Sequence, residues 1–122
     1  MVQILLLDPD SPLADQRGVD LNFADRSRVA HDIRTSVGEL MQHCQEERVQ
    51  DRVEIRLYAN TTPTLIMFAY DETVLFSPYL RKHAMHCHFF ELRTTEGGYA
   101  RELDAFFDDV WTHAKPAEVT IT

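Results

Sequence analysis

The sequence predicts an α/β fold in which helices sandwich a mixed sheet, and three stretches carry that prediction. Gln3 to Leu7 (QILLL) is a near-continuous apolar run that stops at Asp8-Pro9-Asp10, as expected of a strand buried on both faces. Between Asp25 and Arg48, Val29, Ile33, Val37, Leu40, Met41 and Cys44 recur at three- and four-residue spacing, the signature of an amphipathic helix about six turns long. Val53, Ile55 and Leu57 then alternate with Glu54, Arg56 and Tyr58, which predicts a strand with one apolar face. A strand, a long helix and a second strand in this order imply a parallel, right-handed β-α-β crossover at the N-terminal end.

The remaining elements follow in order. Asp10 to Phe23 mixes polarity and turn formers and reads as a loop at the carboxyl end of the first strand. Thr64 to Tyr70 (TLIMFAY) is apolar on both faces and predicts a central strand, paired through a tight turn at Asp71-Glu72-Thr73 with the strand VLF. A further strand fits His86 to Leu92. Gly97-Gly98 then precede a C-terminal helix whose Tyr99, Leu103, Phe106, Phe107, Val110 and Trp111 keep helical spacing and read as core. Phe107 and Trp111 also offer area to a partner. The tail AKPAEVTIT is expected either to fray or to add an edge strand.

With 122 residues and 14.2 kDa, the chain reads as one domain over residues 1–122 with apolar content sufficient for a core. Twelve Lys and Arg against 20 Asp and Glu give a net charge of -8, which argues against direct binding of nucleic acid. No apolar run approaches the roughly 20 residues that cross a bilayer, and no basic leader with a cleavage site precedes VQILLLDPD. The expected location is the cytoplasm, without a membrane partner. Cys44 and Cys87 form no CxxC and read as reduced, buried thiols.

Ligands of open α/β sheets gather beyond the carboxyl ends of parallel strands. That edge comprises Asp8 to Gly18 after the first strand and Tyr58 to Thr62 after the second. In a functional reading, Arg17 grips a small anion while Asp8 and Asp10 bind a cation or a hydroxyl. The plainer structural reading makes Asp8 and Asp10 turn caps and pairs Arg17 with one of them. DPDSP lacks the glycines of a phosphate cradle.

His83, His86 and His88 invite a metal reading, yet on a strand only His86 and His88 share a face while Cys87 points away. A third ligand would have to come from His31, His43 or an acid, so no metal and no cofactor is expected, with His86 and His88 as the weak candidates. Cys87 reads as an inert core thiol, and Ser77 lacks the GxSxG elbow of a nucleophilic serine. The arginines of the long helix, including Arg34, mix with acids and read as a solvated face.

The stretch VEIRLYANTTPTLIMFAYDETVLFSPYL, Val53 to Leu80, resembles the core of the phospholipase D-like superfamily, whose signature is HxKxxxxD. With Asp71 on the aspartate of that pattern, Thr64 stands for the histidine and Ile66 for the lysine. More closely, LLDPDSPLADQRG, VEIRLYANTTPT, FAYDETVLFSPYL and FFDDVWTHAKP resemble, in order, blocks of a bacterial domain family of unknown function often attached to helix-turn-helix regulators. Part of that family's N-terminal strand and helix has no counterpart here, which implies a shortened member or the C-terminal part of a longer regulator. The resemblance implies a phospholipase D-like half with the signature strands in mid-sheet, and a homodimer, because superfamily members pair two such domains across the site. In active members the histidine attacks phosphorus and the lysine holds phosphoryl oxygens. Thr64 and Ile66 do neither, so no phosphodiesterase activity is expected by this route.

The leading expectation is therefore a non-catalytic domain for ligand sensing or protein contact, with Asp8, Asp10, Arg17, Tyr58, Thr62 and Thr64 as the residues for a small anionic ligand. A hydrolase using a metal or a carboxylate pair is the first alternative. A pure dimerisation module, with Trp111 or the histidine-bearing strand in its interface, is the second.

Overall fold

A computed structural model describes residues 1–21, 23–61, 65–78 and 90–117. These form a six-stranded mixed sheet and three helices, with strand order β5-β4-β3-β1-β2-β6. Strand β1 (Val2–Leu7) lies between β2 (Val53–Tyr58), which it meets in parallel from Val2↔Val53 to Leu7↔Tyr58, and β3 (Leu65–Tyr70), which runs antiparallel to it. All other pairings are antiparallel. Central position explains the unbroken QILLL run, since both Ile4 and its neighbour Leu5 are buried.

Neighbouring residues of β2 show how the helices divide between the faces. Ile55 and Val53 line a cleft with Met41 and Cys44 of α2 (Arg28–Glu46). Arg56 points the other way and lays its guanidinium 4.4 Å over the Trp111 ring of α3 (Gly98–His113). Its Nη1 also donates to the Trp111 carbonyl (2.9 Å), and its Nε meets Glu54 at 3.0 Å. Helices α2 and α3 therefore cover opposite faces. Strand β2 keeps the apolar face its alternation predicts, and its other side is partly covered: the Arg56 guanidinium, 26% exposed, is accommodated because an indole face and a carbonyl receive it.

Two helices, not one, join β1 to β2. Most of the expected loop is α1 (Pro12–Asp20), capped by Ser11, whose Oγ accepts from the Leu13 N–H at 3.1 Å, and opened by Pro12. Its buried side is narrow, formed by Ala14, Arg17 and Gly18, and so leaves no apolar periodicity to read. A Cβ on Gly18 would lie 2.5 Å from the Arg26 carbonyl oxygen, so glycine permits the chain to double back here. Helix α2 ends with Arg48 at φ 57°. The Arg48 N–H reaches the Gln45 carbonyl and the Val49 N–H the Cys44 carbonyl, the paired bonds of a Schellman motif.

The hairpin pairs β3 with β4 (Thr73–Pro78) through Asp71 and Glu72, with Asp71 at φ 50°. Strand β5 (Phe90–Arg93) pairs with β4; the earlier part of its expected span, from His86, lies outside the described residues. The tail supplies β6 (Lys115–Pro116), an edge strand on β2. Phe107 and Trp111 stack with ring centroids 5.8 Å apart in the core. Trp111 is thus not available as an interface residue. Tyr99 and Phe106, expected in the core, are instead 62% and 37% exposed, because the buried stripe runs through Ala100, Leu103, Phe107 and Val110. Cys44 is half-buried and not sealed in the core. No described helix is long and apolar enough to cross a membrane.

Arg48→Gly should stabilise the protein by about 0.5–1 kcal/mol, since glycine adopts the left-handed conformation without steric cost. Urea unfolding checks this, and an unchanged or lower midpoint contradicts it.

Candidate functional site

The carboxyl edge of the parallel strands begins where the ladder makes its last bond, from the Asp8 N–H to the Tyr58 carbonyl at 2.9 Å. Asp8 Oδ1 then accepts from the Asp10 N–H (3.0 Å), and the Ser11 N–H donates to the Asp8 carbonyl (3.1 Å). DPDS is thus a turn followed by a helix cap, built from side chains that accept from nearby backbone.

Both carboxylates also hold cations from distant parts of the chain. Asp8 Oδ2 lies 3.1 Å from Lys115 Nζ, with the Asp8 side chain only 12% exposed. Asp10 Oδ1 lies 2.7 Å from Arg34 Nη2 on the open surface. The plainer expectation made Arg17 the partner of one aspartate; the ion pairs of Asp8 and Asp10 come from β6 and α2 instead. Arg34, read as a solvated helix face, sits one turn from both Ala30 and Val37 of the buried stripe, a position that could have flagged it. Lys115 carries no comparable signal, because only the pairing of β6 with β2 brings it to Asp8.

Arg17, expected in a loop, belongs to the inner side of α1, three residues after Ala14. It is only 6% exposed, and its Nε and Nη2 are enclosed. Tyr58 at the end of β2 is equally buried and shares a core cluster with Leu7 and Ala14. Arg17 and Tyr58 each engage a further partner. The chain after α1 closes over this helix through the contact of Gly18 with the Arg26 backbone. That connection is fixed by Asp25, whose carboxylate accepts from the Ser27 hydroxyl (2.7 Å) and the Ser27 N–H (3.0 Å). These bonds hold the Asp25 carboxyl below its ordinary pKa.

The structure brings Asp8, Asp10, Arg17 and Tyr58 to the ends of β1 and β2 and adds Arg34 and Lys115 to them. Thr62 and Thr64 lie outside the described residues, as do His83, His86, Cys87 and His88. Asp71 stands exposed on the β3–β4 turn. Among the described residues no three His, Cys, Asp or Glu side chains are grouped to hold a metal ion. Chemically, the edge offers a buried permanent cation and two carboxylates that already serve as counterions.

Asp8→Ala should cost about 2 kcal/mol in urea unfolding, because a buried acceptor of a turn bond and an ion pair is lost. Lys115→Ala, whose ammonium is half in solvent, should cost less than about 1 kcal/mol. Equal losses in the two variants would show that the turn bond contributes nothing. Gly18→Ala should cost about 2 kcal/mol or more by the same measurement, since backbone must move to admit the methyl group.

No protein-family model, no curated protein and no solved structure matches this chain.

Proposed function

We propose that this chain is a non-catalytic domain that senses a small anionic ligand, acting within a larger regulatory protein, with Arg17 as the ligand's main cationic contact. The observation that carries the reading is a guanidinium only 6% exposed at the edge where α/β sheets gather their ligands. A guanidinium presents a rigid planar fork of donors that matches an anion, and one carried to this edge supplies a permanent positive charge beside the strand ends. A hydrolase using Asp8 and Asp10 is less well supported, since each carboxylate would have to give up Lys115 or Arg34 to bind a metal ion or activate water.

A phospholipase D-like origin belongs to the same proposal. It is supported by a mixed sheet with the β3–β4 hairpin inside it and Asp71 in the hairpin turn. Thr64 and Ile66, in the places of histidine and lysine, imply that phosphoryl transfer by this route is absent.

Thermal melts with inorganic phosphate, adenosine monophosphate and glycerol phosphate test the reading. A ligand at ten times its Kd stabilises the folded state by about 1.4 kcal/mol and raises the midpoint by several degrees. Arg17→Met, similar in length but uncharged, should fold and lose that response. A response undiminished in Arg17→Met, or no response to any of these anions in the unaltered protein, would sink the proposal.

A further inference from the structure

The two edges of the sheet are built differently. Edge β6 is two residues long, contains Pro116, and has its lysine engaged by Asp8, all features that discourage further pairing. At the other end, β5 is the outermost strand among the described residues and carries no proline, no bulge and no inward-pointing charge. Phe90 on this strand is 54% exposed although its ring stacks on Phe76 at 5.3 Å, and Phe76 also meets the exposed Tyr99 ring edge-on at 6.3 Å. Exposed aromatic area therefore continues from the strand onto the start of α3.

The hydrogen-bond phase of β5 decides which of its peptide groups point away from β4. The Thr94 N–H donates to the Glu72 carbonyl at 2.8 Å, just beyond the Thr73↔Arg93 pair. Peptide groups alternate in direction along a strand, so those of Phe90, Leu92 and Thr94 turn toward β4, and those of Glu91 and Arg93 turn away from it, where no described strand pairs with them. An added antiparallel strand must pair outward groups with outward groups. For a second copy of this chain, a two-fold axis at Leu92 places Glu91 opposite the other copy's Arg93, and Arg93 opposite its Glu91. Axes at Glu91 or at Arg93 would oppose like charges, and axes between residues would pair an outward group with an inward one. Glu91 and Arg93 are exposed, share one face of the sheet, and form no ion pair among the described residues.

We propose that two copies of this chain associate through β5, antiparallel about Leu92, so that the six described strands of each copy join in one continuous sheet. Two Glu91–Arg93 pairs fix the register on one face. On the other, Phe90 lies across from the other copy's Thr94 and diagonal to its Leu92, which covers the ring that the single chain leaves in water. This association is independent of Arg17 and of any ligand it holds.

Charge reversal tests the register on the whole chain. Sedimentation should show the unaltered protein dimerising with rising concentration. E91R gives an edge with two cations and R93E one with two carboxylates, so each should dissociate at least about ten-fold more readily. Their equimolar mixture, and separately the E91R/R93E double variant, should regain the unaltered protein's affinity, while both single variants keep its melting temperature in dilute solution. A monomer at every concentration, a dimer insensitive to both single changes, or failure of the mixture to recover would each overturn the proposal.

Discussion

Asp8 ties the turn after β1 to β2 and to β6, through its carboxylate and its backbone N–H together. One oxygen turns the backbone after β1 by accepting from Asp10, and the other holds Lys115, the first residue of the last strand. The Asp8 N–H meanwhile closes the parallel ladder onto Tyr58. Without that turn, Ser11 would not stand where it caps α1, and Arg17 would not be carried inward beside Ala14. A carboxylate this deeply placed is stable only because it accepts on both oxygens, one of them from a cation.

A comparable arrangement secures the opposite face. Arg56 takes the position of a core side chain under α3, with its charge spread over the Trp111 ring, the Trp111 carbonyl and Glu54. Polar residues on β2 are thus part of the helix–sheet contact. The same strand shows its apolar side to α2 through Val53 and Ile55. Central strands of a small three-layer fold have no solvent face to spare, so guanidinium planes stand in for aliphatic side chains where an aromatic ring can receive them.

Much of the candidate site was legible in advance, because the rule that puts ligands beyond the ends of parallel strands needs only the two strands to be found. QILLL and the alternation of VEIRLY found them, and Asp8, Asp10, Arg17 and Tyr58 do lie at that edge. What was not legible is how the aspartates are engaged. Arg34 is twenty-four residues from Asp10, and Lys115 reaches Asp8 from the far end of the described chain.

The sequence by itself determined the elements whose buried side spans several turns or a full strand: β1, β2, the β3–β4 hairpin, α2 and α3. Periodicity is a record of burial, and these segments bury enough residues to show one. Tertiary structure alone decided that α1 is a helix with an arginine inside, that α3 closes over Arg56, and that the tail becomes a strand bearing the counterion of Asp8. Each of these depends on a partner many residues away, whose position is set by sheet order and not by any local spacing.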